Sequence, residues 1–407
     1  MRRDSIAAGN GAGTSPQQLR RSNLRVVLDI FWAAAPGTVL TAGDLIERAG
    51  LTRATVLGVC DDLIELGWIQ EIVPATTGPA VRGRRARHFT FRSDAGYVIG
   101  IDLNFVSATA VVATLDATLL GRGRRTFAEG DLEADRLDNV RAAVRDALTE
   151  AGVTPERIIA LCMGVAAAVD RRGTVPSGNP YWESVHVDPS QVLDGGPVWQ
   201  AIVDNDANLA ARAEERFGPV DLGDSFVTML ADEAIGAGVV SQGVLLRGHN
   251  GGAGELRCAE HLNGVGTTDG IAYLARRWAA DALAAGEAST LAATWKPDRD
   301  LPTAEDVFAA AARNDPLALD IVERLGERFA IVIATIASLI NPQTVVVAGG
   351  VAPVCGAVIT AIESRIGRYT DVAPRIVASQ LGSDVVLIGA VHAAIDYVRE
   401  HALDTAM

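Results

Sequence analysis

Two uninterrupted apolar runs place the strongest limit on the fold of this chain. Residues 158–165 read IIALCMGV, and residues 344–350 read TVVVAGG. Strands that are buried on both faces carry such runs, and they occur mainly in parallel sheets covered by helices. Because helical patterns follow in both halves, the sequence predicts an α/β protein with two similar lobes.

A third short apolar run leads into an acidic turn. Residues 204–208 read DNDAN, and an Ala-rich helical pattern follows up to Gly218. Asn and Asp favour turns and helix N-caps because their side chains bind free backbone N–H groups. Open α/β sheets usually place their ligand sites at the C-terminal ends of strands. The pattern leaves three interpretations of Asp206 open: a catalytic base, a ligand anchor or a helix cap.

Length and cysteine spacing restrict the class of protein. A chain of 407 residues is expected to form two or three domains. No apolar run approaches the ~18 residues that span a bilayer, and no apolar segment of a signal peptide follows Arg2 and Arg3. The four cysteines lie far apart without a CxxC pair, which argues against a disulfide scaffold and a Cys-based zinc site. We therefore expect a cytoplasmic protein.

Charge is distributed unevenly along the chain. The whole chain has a net charge of −14, whereas residues 1–92 contain twelve Arg against eight Asp and Glu, a net charge of +4. The remainder therefore carries −18. A basic N-terminal part joined to an acidic body indicates that the small part binds DNA.

Residues 19–92 predict a winged helix-turn-helix domain after a disordered tail at residues 1–18. Three helical patterns are followed by two short strand patterns around an Arg-rich loop. The second helix of such a unit reads the major groove from its N-terminal residues. The alternative is a protein-interaction module with a solvated Arg loop. The candidate DNA contacts are Thr52, Arg53 and Thr55 in the helix and Arg82, Arg84, Arg85 and Arg87 in the loop.

Residues 93–407 predict the two-lobed body. Lobe one covers about 93–200 plus the C-terminal helix, and lobe two covers about 201–388, with a last strand at 385–388. A Gly-rich loop at residues 251–256 carries Glu255. Carboxylates in a cleft between lobes accept hydrogen bonds from hydroxyls, so Asp206 and Glu255 indicate a polyol such as a sugar. Asp206 also has the chemistry to deprotonate a hydroxyl for phosphoryl transfer.

The chain resembles the ROK family (repressors, open reading frames and sugar kinases) from about residue 20 to residue 400. The motifs are DAGYVIGID at 94–102, NDAN at 205–208, GEL at 254–256, GG at 349–350 and IGA at 388–390. The resemblance is to a transcriptional regulator of the xylose-repressor type. It implies an actin-like ATPase fold of two lobes, a dimer and a sugar cleft. In the family's kinases the residue matching Asp206 is the catalytic base, and those matching Asn205 and Glu255 hold sugar hydroxyls.

Departures from the family pattern predict that kinase activity is lost. ROK kinases carry Gly-Gly-Thr-Lys after the Asp of the first strand, whereas residues 103–107 read LNFVS. The second phosphate loop reads ADEAIG at 231–236, and its two carboxylates would repel a triphosphate. The family's His position appears as Cys258, and residues 259–269 contain no cysteine of its zinc motif. One Cys and His261 cannot supply four zinc ligands, so neither zinc nor another cofactor is expected.

The predicted function is a DNA-binding transcriptional regulator of sugar-related genes without a catalytic residue, in which Asp206 is a vestigial base. Its expected partners are a double-stranded operator, a sugar or sugar-derivative effector, and a second copy in a homodimer or tetramer, with no membrane. Two alternatives stay open: an effector-free regulator that uses the body as a dimerisation scaffold, and an ATP-dependent sugar kinase. The predicted ligand-binding residues are Asn205, Asp206, Glu255, Asn179 and Asp269.

Overall fold

The chain divides into two compact units. The computed structural model describes residues 15–73, 86–128, 133–176, 187–193, 200–219, 221–293, 295 and 302–404. The first unit takes in residues up to 97, residues 114–118 and residues from 397 onward, and the second takes in 98–113 and 119–396. Among the described residues, no helix combines the length and apolar character needed to cross a membrane.

The first unit combines three helices with a small sheet in the order β1-β3-β2. Helices α2 and α3 and strands β2 and β3 lie where the sequence predicts them. Strand β1 is not predicted, because three residues are too few to show an alternating pattern. The elements are α1 (Pro16–Trp32), β1 (Val39–Thr41), α2 (Ala42–Ala49), α3 (Arg53–Glu65), β2 (Ile69–Ile72) and β3 (His88–Phe91).

Local capping explains where these helices begin. The Ser15 hydroxyl oxygen accepts the backbone N–H of Gln18, and the Gln18 side-chain oxygen accepts the backbone N–H of Ser15, so α1 starts at Pro16. The predicted disordered tail is therefore wrong for residues 15–18. Thr41 forms the same capping box with Asp44 at the start of α2, and Thr52 caps α3. A three-residue turn thus separates two helices whose boundaries are set by the local sequence.

The end of the chain completes the first unit. The buried Trp68 donates its indole N–H to the carbonyl oxygen of Ala402 at 3.1 Å. The Arg25 guanidinium donates to the carbonyl oxygens of Arg399 and Glu400 at the C-terminus of the last helix. A cation at that position is favoured by the helix dipole. Residues far apart in the sequence therefore stabilise the same small core.

The second unit contains two five-stranded sheets with equivalent strand orders, β6-β5-β4-β7-β8 and β11-β10-β9-β12-β13. Strands β7 and β12 are buried at every position, as their apolar runs predict. The first sheet consists of β4 (Tyr97–Leu103), β5 (Ser107–Thr114), β6 (Leu119–Thr126), β7 (Ile158–Val165) and β8 (Gln200–Asn205). The second consists of β9 (Phe226–Leu230), β10 (Gly236–Ser241), β11 (Val244–Leu246), β12 (Thr344–Ala348) and β13 (Arg375–Ala378).

Seven helices accompany these sheets in the described residues. Helical patterns at about 269–284, 304–312 and 316–340 predict three of them, and the observed helices α6, α7 and α8 agree to within two residues at either end. Strand β6 is not predicted as such, because its Gly and Arg residues hide any alternation of polar and apolar positions. The helices are α4 (Glu133–Ala151), α5 (Asp206–Phe217), α6 (Ile271–Ala284), α7 (Ala304–Ala312), α8 (Pro316–Ile340), α9 (Gly356–Ile366) and α10 (Val385–His401).

Two predictions about the body are corrected. Strand β8 pairs in parallel with β7, so residues 201–205, which the prediction assigns to lobe two, belong to the first sheet. The predicted strand at 385–388 is wrong, since these residues form the first turn of α10. A short apolar run does not distinguish a strand from a buried helix. Gly389 lies against the backbone of Leu209, where an added Cβ would come within 2.1 Å of the carbonyl oxygen.

A buried carboxyl group connects α5 with the strand end of the second sheet. Glu214 has an exposed fraction of 1%. Ser379 donates its hydroxyl to one carboxylate oxygen of Glu214, and the other has no hydrogen-bond partner within the described residues. Burial raises the pKa of Glu214, and the hydrogen bond from Ser379 opposes this shift.

This burial predicts a pH-dependent loss of stability. The unfolded chain releases the Glu214 proton near its ordinary pKa of about 4.3, whereas the folded chain holds it to higher pH. The free energy of unfolding therefore falls as pH rises from that value through the raised folded pKa. Glu214→Gln should remove this loss and be more stable than wild type at neutral pH. Urea unfolding at several pH values tests this, with the exposed Glu215→Gln as control; equal slopes for wild type and Glu214→Gln would contradict it.

Candidate functional site

A cleft of about 1300 Å³ lies in the second unit. Both sheets contribute to it at the C-terminal ends of strands. Asp102 comes from β4, Asp206 follows β8, and Leu230 ends β9. Strand ends of this kind are where open α/β sheets bind ligands. The cleft is therefore the candidate ligand site.

Asn205, not Asp206, caps helix α5. The Asn205 side-chain oxygen accepts the backbone N–H of Asn208 at 2.9 Å. Its amide nitrogen donates to the carbonyl oxygen of Ala167 at 3.0 Å. Asn205 is thus fixed through both the oxygen and the nitrogen of its amide. One carboxylate oxygen of Asp206 accepts the adjacent backbone N–H of Ala207 at 2.7 Å. The interpretation of Asp206 as the helix cap is wrong, because the capping oxygen belongs to the preceding residue.

A buried ion pair with Arg247 holds Asp204, the residue before the helix cap Asn205. Arg247, which follows β11, donates to both carboxylate oxygens of Asp204 at 2.5 and 2.6 Å. The side chains of Asp204 and Arg247 are only 5% and 18% exposed. Bidentate pairs of this kind hold both groups in one geometry. The pair joins the end of β8 in the first sheet to the edge of the second sheet.

Three carboxyl groups in the cleft influence one another. Burial raises the pKa of Asp206 to about 8, and the nearby charges of Asp102 and Glu255 add to the shift. Burial likewise raises the pKa of Asp102 to about 6, while a hydrogen bond from Asn104 lowers it. Desolvation also raises the pKa of Glu255, although its side chain is exposed to the open cleft. Perturbed carboxyls in a cleft are typical of functional sites.

Glu255 reaches the cleft from a loop held against β10. The backbone N–H of Ala237 donates to the carbonyl oxygen of Gly254 at 3.2 Å. Gly254 has a φ of 88°, and an added Cβ would lie 1.7 Å from the Ala237 oxygen. Only glycine satisfies both conditions. The Gly-Glu pair of the sequence therefore fixes where the Glu255 side chain emerges.

The structure does not gather all the predicted ligand residues. Asn205, Asp206 and Glu255 line the cleft together. Asp269 is absent from the cleft lining, and its carboxylate accepts a hydrogen bond from the Thr267 hydroxyl at 2.7 Å. Asn179 lies outside the described residues. Asp102 lies in the site although it is not among the predicted ligand residues. Its position near the end of the first strand of the body is the sequence feature that indicates a site residue.

Two turns of the cleft have their backbone N–H groups occupied by side chains. Asn104, after β4, accepts the backbone N–H groups of Val106 and Ser107 at 3.1 and 2.9 Å. Asp232, after β9, accepts those of Gly350 and Val351 at 2.8 and 2.9 Å. Successive N–H groups in turns form anion-binding concavities. Here the chain's own oxygen atoms take up these donors.

The charge of Glu233, the residue after Asp232, is also neutralised. Arg276 donates to both carboxylate oxygens of Glu233 at 2.8 and 2.7 Å. Burial raises the pKa of Asp232, and the two backbone hydrogen bonds lower it. The two carboxylates that the sequence suggests as free repulsive charges are therefore engaged with the protein itself.

The candidate DNA contacts of the first unit differ in exposure. Thr52 and Arg53 are exposed at the start of α3, and Thr55 is partly buried, with its hydroxyl 2.9 Å from that of Thr52. Arg87 instead donates to Glu71 at 2.8 Å and lies 2.7 Å from Asp61, so it connects β3 with β2 and α3. Arg82, Arg84 and Arg85 lie outside the described residues.

The two sheets and their cleft define a sugar-kinase-like α/β protein, preceded here by a unit of three helices and a small sheet. The ROK family model matches residues 98–396. The chain therefore belongs to the ROK family.

Relatives of known function include both repressors and kinases. The chain is 23% identical to the xylose repressor of Bacillus subtilis over 386 residues, which span 93% of this chain and 96% of the repressor. It is 31% identical to a glucokinase of Halalkalibacterium halodurans over 209 residues, which span 46% of this chain and 61% of the glucokinase. The match to the repressor thus includes the N-terminal unit.

A solved structure with the same fold extends over nearly the whole chain. It is a ROK family transcriptional regulator described as a homologue of the Escherichia coli MLC protein. The TM-score is 0.67 at 21% identity, with 95% of this chain and 98% of that chain covered. At this identity the comparison establishes the fold.

The raised pKa of Asp206 predicts a second pH effect. The folded protein holds the Asp206 proton up to about pH 8, so wild-type stability should fall as pH rises from the unfolded pKa of about 4. Asp206→Asn should therefore gain stability relative to wild type over this range. After discounting for partial exposure we expect about 1–2 kcal/mol.

Thermal melts between about pH 5 and pH 9 measure this difference. Asp221→Asn, whose wild-type side chain is 92% exposed, is the control. A constant difference between Asp206→Asn and wild type across the range would show that Asp206 is ionised throughout.

Proposed function

We propose that this chain is a DNA-binding transcriptional regulator of the ROK family that senses a sugar or sugar derivative in the cleft and has no kinase activity. The observation that carries the proposal is the match to the xylose repressor over 93% of this chain, because it includes both the helix-turn-helix unit and the body. Operator binding by a homodimer, with one recognition helix in each half-site, is the corresponding mode of action.

DNA recognition is assigned to the first unit as a winged helix-turn-helix. Helix α3 follows the short turn after α2, and its N-terminal residues Thr52 and Arg53 are exposed. Strands β2 and β3 pair antiparallel and flank the predicted basic wing. Arg53 is proposed to contact bases or phosphates, as are Arg82, Arg84 and Arg85 of the wing. Arg87 is proposed to orient the wing through Glu71 and Asp61 rather than to contact DNA.

Replacement of Arg53 tests this assignment. Arg53→Ala is expected to weaken binding to a duplex selected from random oligonucleotides by about tenfold or more, since one base contact is worth about 1–3 kcal/mol. Fluorescence anisotropy at fixed low salt measures the affinity. Arg145→Ala removes the same charge from an exposed position on α4 and should bind like wild type. Equal affinities for Arg53→Ala and Arg145→Ala would exclude α3 as the reading helix.

The chemistry of the cleft supports a polyhydroxylated effector. Asp206 and Glu255 offer carboxyl oxygens to ligand hydroxyls, and Asn205 holds the turn that presents Asp206. Hydrogen bonds between buried polar groups and hydroxyls are the usual source of selectivity in such sites. The cleft is therefore proposed to close on a sugar and to change the spacing of the DNA-reading helices.

The effector proposal is tested with thermal melts against a panel of sugars and sugar phosphates. A ligand that binds the folded state raises the melting temperature by mass action. We expect a rise with one sugar class that is lost in Glu255→Ala and kept in the control Glu287→Ala, which removes an exposed carboxylate elsewhere. No rise with any sugar, together with intact operator binding, would favour the scaffold alternative.

The absence of kinase activity is supported by the occupied turns. Asn104 and Asp232 accept the backbone N–H groups that nucleotide phosphates would need, and Phe105 lines the cleft beside Asn104. A fixed carboxylate at the second turn also opposes a triphosphate electrostatically.

We therefore expect neither a rise in melting temperature with MgATP nor release of ADP in a coupled assay over the same sugars. Asp232→Asn keeps the oxygen acceptor and removes the charge. If the cleft binds nucleotide weakly, MgATP should therefore raise the melting temperature of Asp232→Asn more than that of wild type. Sugar-dependent turnover that Asp206→Asn abolishes would instead establish a kinase.

A further inference from the structure

One loop connects the Glu255 region to the wall of the cleft that contains residues 233–235. It comprises residues 262–269, and Thr268 lines the cleft. The backbone N–H of Ile235 donates to the carbonyl oxygen of Thr268 at 2.8 Å, and that of Gly270 donates to the carbonyl oxygen of Glu233 at 2.9 Å. Ile235 and Glu233 also line the cleft. The shape of this loop, which we call the wall loop, therefore sets the position of the wall.

The ROK resemblance places a zinc site in this region, and the residues present do not fit one. A structural zinc ion requires four ligands, usually Cys or His. Cys258 and His261 are both exposed. Within the part of the chain that the structure describes, no group of three or more His, Cys, Asp or Glu side chains could hold a metal. The wall loop must therefore be shaped by other contacts.

A buried arginine makes those contacts. Arg328 lies on α8 with an exposed fraction of 7%. Its guanidinium donates to the carbonyl oxygen of Val265, and to the carbonyl oxygen and hydroxyl of Thr267 at 2.6 and 2.8 Å. Desolvation lowers the pKa of Arg328, and the charge of Asp269 opposes this shift. Three oxygens of one loop thus surround a buried cation.

The hydration that the Arg328 charge loses on burial favours one conformation of the wall loop. A buried ion loses several kcal/mol of hydration, so it is tolerated only where other groups satisfy it. Here the compensation comes mainly from backbone carbonyl groups, which are in place only when the wall loop has its observed shape. The Thr267 hydroxyl also donates to Asp269, so the arrangement extends toward the end of the loop.

We propose that Arg328 is a positioning residue that takes the role of a metal ion in the wall loop and thereby sets the geometry of the cleft. Like a metal ion, the guanidinium gathers oxygen atoms of the loop around one positive centre. Unlike a metal ion, it belongs to α8 and does not depend on supply or chelation. This inference concerns the cleft itself and does not depend on whether the ligand is a sugar.

Hydrogen–deuterium exchange of the full chain tests the proposal without a ligand. Arg328→Met removes the donors, and Arg328→Lys keeps the charge but loses the planar fork that reaches several oxygens. We expect amide exchange in residues 257–270 and 231–236 to accelerate by about tenfold or more in Arg328→Met, the equivalent of one lost hydrogen bond to a charged group. Residues 102–107 and the first unit should be unchanged.

Arg324→Lys is the matched control, since Arg324 lies one turn earlier on α8 with a half-exposed side chain paired to Asp320. Amide exchange in the wall loop should be faster in Arg328→Lys than in wild type and slower than in Arg328→Met. If Arg328→Met does not fold, the comparison of Arg328→Lys with wild type tests the proposal. Unchanged exchange in the wall loop of the Arg328 variants would overturn the proposal. A general acceleration throughout the second unit would also overturn it, because it would indicate a role in stability alone.

Metal dependence gives an independent readout. Wild-type exchange in the wall loop should be the same after treatment with a chelator and after addition of zinc. A chelator that loosens the loop, or zinc that protects it, would mean that a metal ion does hold it. Neither result bears on operator binding by the first unit, so failure here is distinguishable from failure of the proposed function.

Discussion

The junction between β8 and α5 is the constraint on which the candidate site depends. The amide of Asn205 caps α5 and also donates to Ala167, so the strand end and the helix start are fixed at one point. The ion pair of Asp204 with Arg247 holds the preceding residue from the second sheet. Asp206, the residue after the cap, then lines the cleft at a position where burial raises its pKa to about 8.

The chain repeatedly uses its own side chains where a related site would use a ligand or an ion. Asn104 and Asp232 accept the N–H groups of two turns that otherwise suit phosphate oxygens. Arg328 donates to the carbonyl oxygens of a loop for which the family resemblance implies zinc. The two-sheet architecture is present together with these contacts. They are consistent with a body that recognises an effector rather than one that transfers phosphate.

Several elements could be predicted because their signals are local. The buried runs of β7 and β12 are stretches of consecutive apolar residues, and the structure has both strands where they are predicted. Predictions were wrong or absent where contacts with residues distant in sequence determine the structure or the role of a residue. Residues 385–388 form a helix, although their apolar run suits either element. Arg87 satisfies every criterion of a basic DNA contact in the sequence, yet it is held by Glu71 and Asp61.

The sequence by itself determined the family, the basic N-terminal unit and the two-lobed α/β body, because periodicity, charge and motif spacing are properties of the linear chain. It also located Asn205, Asp206 and Glu255 on turns after strands. Only the tertiary structure decided which of these caps a helix and which reaches the cleft, and that Asp102 joins them. Only the tertiary structure shows that Arg328 donates hydrogen bonds to the wall loop, which lies about sixty residues earlier in the chain. Such roles depend on the desolvation and hydrogen-bond geometry of groups distant in sequence, which no local pattern encodes.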